Sequence, residues 1–445
     1  MKKFLLVISL IIFSCNQTTV NNEKTKNVNS QMNKDLSIDL YDDDELDKIY
    51  TQLSTHYKTL SQKVIQSPEG YLEYPYLIPA GFYKQMWDWD GFFIGNYFAS
   101  KGRPEYLKYW CLNLIKGIDS EGYVSGCATT NGPRPIFGKF SMKPFLSQGV
   151  YLSSKKMNNF NWIIPFYEKI KRVLTYREKT QRDNATGLFY WDVAMQSGAD
   201  NNVAMNYFME DKRKFLAPDI SALQYKEYIA QAAIADSLGY NEDAVIYIKK
   251  AKELKEAINK YLWNNKDQIY YTMNVETRKH YKRVSYSSFV PLMMGIAEMN
   301  NGQAMINKYL LSENHMKAKY GFRTLSVEDP DYNNLNTIIP FSNWQGPVWP
   351  IANYIYSIGM KKYGFNSELK WLAGTIGTLL INDIKKYNTM HENYNADTGA
   401  ALAPHDDYID DKGNIVGFVG WNLCVENILN GVVNDKWMLL EVTTN

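Results

Sequence analysis

From Asp43 onward the apolar residues recur at the spacing of helices and not of strands, which restricts the chain to an architecture of packed helices. Residues 241–261 show it best. Asn241 can cap a helix, Glu242 and Asp243 suit the positive end of its dipole, and Tyr247, Ala251, Leu254, Ile258 and Tyr261 form one apolar stripe. The segment before it, from Asp219 to Leu238, has the same character and stops at Gly239, a residue that accepts the left-handed conformation of a helix end. Together the two make a helical hairpin. Similar helices read at 43–66 with 86–117, at 156–180, at 285–312 and at 346–389, with Pro350 suited to a first helical turn. Strand signals are few and short, the clearest a hairpin of 269–274 with 279–284.

The loops between these helices, 81–91, 120–148, 183–210, 320–350 and 391–421, hold most of the distinctive Gly, Trp, Asn and Asp residues. Function concentrates on loops carried by a rigid scaffold, so the expected fold is an all-α toroid of helix pairs with its site at one end. An open solenoid would produce the same stripes, but the chain shows no fixed-length repeat. No Gly/Ser/Pro-rich linker follows residue 40 in this chain of 445 residues, so 41–445 reads as a single domain.

The N-terminus reads as a targeting segment. Lys2-Lys3, an apolar run from Phe4 to Phe13 and then Ser14-Cys15 make a leader too short to span a bilayer. Ile12-Phe13-Ser14-Cys15 resembles a bacterial lipoprotein signal. It implies residues 1–14 as signal peptide, lipidation of Cys15, a disordered tether over 15–40, and an exported protein anchored to the cell envelope, in the outer membrane with a periplasmic or surface face. The formal charge of +2, neutral once Lys2 and Lys3 leave with the leader, gives nucleic acid no basic surface. Cys111, Cys127 and Cys424 then remain, too few for a disulfide framework and without the spacing of a zinc knuckle.

Four stretches can carry chemistry. Trp87-Asp88-Trp89-Asp90-Gly91 sets two indoles beside two carboxylates, with Trp87 and Asp90 on one helical face, a combination that suits the apolar face and the hydroxyls of a sugar. Asn343-Trp344-Gln345-Gly346-Pro347-Val348-Trp349-Pro350 makes a tight turn before a helix that carries Asn353 and Tyr354. Trp191-Asp192 and Gly198-Ala199-Asp200-Asn201 can present a carboxylate from a polar turn. Met390-His391-Glu392-Asn393-Tyr394 is closed by Asp397-Thr398-Gly399 and followed by Phe418, Gly420 and Trp421. No metal site is expected, because the histidines lack ligand spacing and His391-Glu392 meets Asn395 where a second His would stand. No nucleophile elbow or phosphate loop occurs, and Asp406 to Asp411 lacks calcium-loop spacing and reads as a solvated turn. A pair of acids among aromatic rings is what glycoside hydrolysis requires.

Together these segments resemble glycoside hydrolase family 63, particularly its short bacterial members acting on glycerate glycosides, and the related family 37 trehalases. The resemblance covers most of residues 80–430 and is most specific at Gly346-Pro347-Val348-Trp349-Pro350 and at Glu392-Asn393-Tyr394-Asn395. It implies an (α/α)6 barrel and an inverting, exo-acting α-glycosidase for a small gluco- or manno-configured substrate, a disaccharide or a glycosylglycerate, without cofactor. By motif position it implies Asp200 as general acid and Glu392 as general base, with Asp192 open as an alternative acid. Trp87, Trp89, Trp349, Tyr394 and Trp421 would wall the sugar site, and Asp90, Gln345 and Asn353 would hold hydroxyls. Arg134, Lys143 and Arg323 would meet an acidic aglycone. Just after Asp200 the family's usual Ser-Pro and aromatic residue are replaced by Asn202-Val203-Ala204-Met205. The expected partner is a small carbohydrate and the expected state a monomer that touches a membrane only through its lipid. Two other readings fit the same composition: a glycan-binding lipoprotein without catalysis, and a polysaccharide lyase using His391 and Tyr394.

Overall fold

Two kinds of helix alternate along the chain: one is buried on nearly every side, the other keeps a face toward water. A computed structural model describes residues 41–80, 83–135, 141–205, 213–336, 342–403 and 417–443, all within one unit, Asp39–Asn445. The expected leader, the tether with Cys15 and the acidic turn Asp406 to Asp411 lie outside the described residues.

The helices are α1 (Asp43–Leu60), α2 (Asp88–Ser100), α3 (Glu105–Lys116), α4 (Leu146–Met157), α5 (Tyr167–Gln181) and α6 (Pro218–Ser237). They continue as α7 (Asn241–Tyr261), α8 (Val290–Met294), α9 (Met299–Met305), α10 (Pro350–Tyr363), α11 (Asn366–Tyr387) and α12 (Cys424–Asn434). Helix α2 is buried from Asp88 through Ala99, and α10 at every position except Lys361 and Lys362. By contrast α7 buries Tyr247, Ala251, Leu254, Ala257 and Ile258, the expected stripe, with Tyr261 only half-buried at its end. A helix without a polar face belongs inside, and a striped one outside.

The contacts bear this out. Each even-numbered helix touches the next, α2 to α4, α6, α8, α10 and α12, and α12 returns to α2, closing a ring of six. Outside it α3 bridges α2 and α4, α7 lies on α6, and α11 lies on α10 and α12 with α1 behind them. This is an (α/α)6 barrel. Local signals set its helix ends: Asp42 and Glu45 form a reciprocal capping box on α1, and Pro350 opens α10 as expected. Asn241 is the first residue of α7 and not its cap, a place taken by Tyr240 without a side-chain bond.

Strands in the described residues are two or three residues long. The expected hairpin divides: Ile269–Tyr270 pairs back onto Trp263–Asn264, while Thr272–Asn274 pairs with His280–Tyr281, Thr272 opposite Tyr281. On its other side Thr272–Asn274 pairs with Phe215–Leu216, which pairs with Tyr190–Trp191, giving a four-stranded sheet that ties down both ends of the loop bearing Asp200.

Candidate active site

The site is assembled at the N-terminal ends of inner helices. Met86–Trp87 is a short strand, Trp87 opposite Cys127, from which the chain turns into α2. This turn sets Trp87, Trp89 and Asp90 at the mouth of the ring. Asp88 holds the turn in place: it accepts the backbone N–H of Lys143 at 2.7 Å and the Lys143 ammonium at 3.1 Å. A side chain at Gly126 would place a Cβ 2.5 Å from Asp88 Oδ2, so this close approach requires glycine.

Asp200 follows a single 3-10 turn, Ala194–Ser197, that ends at Gly198 with φ +86°. A Cβ there would stand 3.3 Å from Lys143 Cε and 3.4 Å from the Trp89 ring, so the glycine brings this loop against α2. The residues after Asp200 are anchors. Asn201 Oδ1 accepts the Trp344 N–H at 2.6 Å, its carbonyl accepts from Gln345 Nε2 at 3.2 Å, and the Asn202 amide donates to Ser287 Oγ at 3.4 Å. Asp200 remains turned to the cavity, where the Ser342 hydroxyl bonds it and desolvation pushes its carboxyl up to about 6. Ser342 and the Lys143 charge act in the opposite direction.

Glu392 is presented by neighbours that face the other way. His391 donates its backbone N–H to Asp383 Oδ2 at 3.0 Å and sets its ring Nδ1 2.9 Å from the same oxygen; the Tyr394 hydroxyl donates to that oxygen at 2.7 Å. Tyr394 also exchanges backbone hydrogen bonds with Val348, at 2.9 and 2.8 Å. With the side chains of His391 and Tyr394 drawn toward α11, Glu392 lies buried on the cavity wall.

The cavity holds about 240 Å3. Among the described residues, Tyr83, Trp87, Trp89, Phe418 and Trp421 supply aromatic wall, Asp90, Lys143, Asp200, Ser342 and Glu392 supply polar groups, and Pro79, Met195 and Gly198 also line it. The indole N–H groups of Trp87, Trp89 and Trp421 and the Oδ1 of Asp90 are buried without a protein hydrogen-bond partner among the described residues. Three donors and an acceptor so placed match a ligand dense in hydroxyls. Burial pushes the Asp90 carboxyl up to about 7, with Lys143 opposing and Asp88 and Asp200 adding to the rise.

Other residues singled out in the sequence stand outside this lining. Asp192 lies near Lys214, its carboxylate 3.5 Å from the ammonium. Trp349 stacks on Trp344 with ring centres 4.3 Å apart and stands behind Trp421. Asn353 clamps Phe322, accepting its N–H at 2.8 Å and donating to its carbonyl at 3.0 Å. Gln345 is engaged with Asn201 and Asn333, and Tyr394 with Asp383. Arg134 is exposed. Arg323 is buried, its guanidinium taken up by Asp397, the Tyr332 hydroxyl and the carbonyls of Glu313, His315 and Lys317. Pro79, Tyr83, Met195 and Ser342 join the lining without having been expected there, and no local pattern in the sequence distinguishes Met195 or Ser342 from their neighbours.

Carboxylates set among indoles, at one end of a closed ring of helix pairs, define a carbohydrate-active enzyme of the helical-barrel class. Residues 83–409 match the family model described as the mannosylglycerate hydrolase MGH1-like glycoside hydrolase domain. The chain belongs to this family and is a glycosidase of the family 63 type, related to trehalases. Among solved structures it is similar to the family 63 mannosylglycerate hydrolase of Thermus thermophilus in complex with glucose. That match has a TM-score of 0.64 and 16% identity, over 84% of this chain and 98% of the other. The same hydrolase with Tris and D-glycerate matches with a TM-score of 0.65 and 16% identity, over 85% of this chain and 99% of the other. The neutral trehalase of Saccharomyces cerevisiae gives 0.60 and 16% identity, over 81% and 74%. In sequence, the cytosolic neutral trehalase of Neurospora crassa is 30% identical over 133 residues, which span 30% of this chain and 17% of that protein.

Proposed function

We propose that the protein is an inverting, exo-acting α-glycosidase that releases one gluco- or manno-configured sugar from a small substrate. The observation that carries this is the placing of Asp200 and Glu392 on the walls of one small cavity lined by indoles. Asp200, its carboxyl raised to about 6, is protonated in a far larger fraction of molecules near neutral pH than an ordinary Asp would be, and delivers that proton to the glycosidic oxygen. Glu392 draws a proton from the water that attacks the opposite face of the sugar ring. Trp87, Trp89 and Trp421 cover the apolar face of the glycone, and Asp90 accepts from its hydroxyls. A volume of about 240 Å3 lies below the roughly 300–1,000 Å3 of ordinary ligand sites and favours a terminal sugar with a small leaving group over a chain passing through. The glucose and D-glycerate held by the Thermus thermophilus relative are ligands of that size.

The test is the anomer of the first product. Proton NMR during hydrolysis of an α-glycoside should show the β-sugar first, followed by mutarotation. An α-sugar appearing first overturns inversion, and it would require carboxylates about 5 Å apart where inversion needs about 6.5–9.5 Å. Export as a lipoprotein lipidated at Cys15 is part of the same proposal, supported by the apolar leader that ends at this residue. Mass spectrometry of the mature N-terminal peptide decides it, a diacylglyceryl adduct on Cys15 being the expected result.

A further inference from the structure

Eight large apolar side chains are exposed among the described residues, and six of them gather at the end of the barrel opposite the cavity: Ile164, Tyr240, Val245, Ile246, Ile248 and Met299. Each follows shortly after the C-terminal end of an inner helix, Ile164 after α4, Tyr240 to Ile248 after α6 and Met299 after α8. The connections from inner to outer helices at this end, 101–104, 158–166, 238–240, 295–298 and 364–365, all belong to the described residues. Singly such side chains are ordinary, but collected on one rim they mark a surface that meets something apolar. Ile164 and Tyr240 line a groove of about 680 Å3 between the start of α5 and the turn into α7, where the Tyr167 and Tyr240 rings stand 4.6 Å apart. Lys171 takes up two of the three acids of this groove, Glu168 at 3.2 Å and Asp243 at 2.8 Å, which leaves Glu242. Val245, 69% exposed, opens the outward face of α7, and the exposed Lys249 and Lys252 stand one and two turns behind it on that face. Apolar tips with ammonium groups behind them suit a surface that dips into a bilayer while its lysines reach the headgroups. The chain also enters the barrel at this end. Asp43, the first residue of α1, pairs at 2.6 Å with Lys370 near the start of α11, Tyr41 lies against Gly374, and α11 begins where inner α10 stops.

We propose that this rim is a membrane-docking surface: its six apolar side chains enter the headgroup region of a phospholipid bilayer, and the mouth of the cavity faces away from it. The proposal rests on the reading of the leader and Cys15 as a lipoprotein signal. A chain held to a bilayer through residues ahead of Tyr41 is held by this end of the barrel, so the cavity with Asp200 and Glu392, at the other ends of the inner helices, meets substrate arriving from solvent. A bilayer fits better than a second copy of the chain. The six side chains come from three separate connections, and lipid accepts such scattered tips where a protein interface needs a matched, closely packed surface.

Quenching of a label on the rim itself tests it. The full chain carries bimane at Ile246→Cys or, at the mouth end, at Leu335→Cys, and is mixed with vesicles of phosphatidylethanolamine and phosphatidylglycerol that contain doxyl-labelled lipid. Cys111, Cys127 and Cys424 are buried, and the unsubstituted chain gives the labelling background. Emission from position 246 should fall by about half, since an interfacial side chain enters the boundary by roughly 5–10 Å, while emission from position 335 stays unchanged. Adding Val245→Ser and Ile248→Ser should abolish the quenching and leave hydrolysis of a small substrate in solution as in wild type. No quenching at 246, or equal quenching at 335, overturns the proposal. A dimer in sedimentation that Val245→Ser with Ile248→Ser dissociates also overturns it and assigns the rim to a second copy. The mass of the N-terminal peptide reports the anchor separately: Cys15 without lipid, together with quenching at 246, upholds the docking surface and removes only the lipoprotein reading.

Discussion

Carboxylates withdrawn from water occur in two settings in this barrel, the seams between helices and the cavity wall. In the seams Glu227, Asp383 and Asp219 each accept from protein donors, although Glu426 on α12 keeps Oε2 without a partner among the described residues. Glu227 on α6 accepts the N–H groups of Ser147 and Gln148 at 3.0 Å each, pinning the start of α4, and Arg177 lies close enough to favour its charge. Asp383 on α11 takes the His391 N–H and the Tyr394 hydroxyl, and Asp219 takes the Trp191 indole at 3.0 Å. On the cavity wall, among the described residues, Asp90 keeps Oδ1 without a protein partner, and Asp200 is met by the hydroxyl of Ser342. Burial is similar in kind, but the seam groups fasten helices together while the wall groups are kept available for a substrate. Sites prepared for chemistry commonly forgo stability in this way.

Substitutions can break the comparison from either side. The largest expected effect is on turnover: Asp200→Asn and Glu392→Gln should each lower kcat by about 10²–10⁴-fold while the melting temperature stays within a few degrees of wild type. A large fall in melting temperature would move either residue into the seam class. Glu227→Ala should do the reverse. It strands two buried N–H groups and the Arg177 charge, costing about 3–5 kcal/mol in denaturant unfolding, with kcat of the folded fraction retained.

Asp90→Asn sharpens the contrast through pH. The Asp90 carboxyl is raised from 3.8 to about 7 in the folded chain, so ionising it opposes folding. That penalty is absent below the unfolded value, grows as pH climbs through the window up to about 7, and is complete above it. The variant should therefore gain on wild type by up to a few kcal/mol at pH 8 and by little at pH 4, while its KM rises. An equal gain at both pH values would show that ionised Asp90 is not strained. The smallest effect is expected for Ser342→Ala. Removing the hydroxyl that holds the Asp200 carboxyl down should shift the alkaline limb of kcat/KM upward by roughly half a unit.

Much of the site was legible because chemistry and sequence cluster together at α2 and before α12. Trp87, Trp89, Asp90, Asp200, Glu392 and Trp421, singled out by local pattern together with the family resemblance, line one cavity. The same motifs also contain residues of identical type with other tasks, and pattern alone does not separate them. In 391–394, Glu392 faces the cavity while His391 and Tyr394 bond Asp383, a partner on α11. Trp349 and Asn353 share a motif with Gln345, yet one stacks on Trp344 and the other clamps Phe322. Ser342, which touches the proposed acid, has no marker in sequence because a hydroxyl acquires this role only when Asp200 is brought to it.

The sequence by itself determined the helical class, the stripe of α7, the start of α10 and the segments rich in acids and indoles, since period, caps and composition are local properties. Only the tertiary structure decided that α12 returns to α2, that Asp200 and not Asp192 joins Glu392 on the cavity, and that Lys143 is bound to Asp88. A stripe records that a face is buried but not what covers it. A side chain's neighbours across the barrel are set by the packing of distant helices.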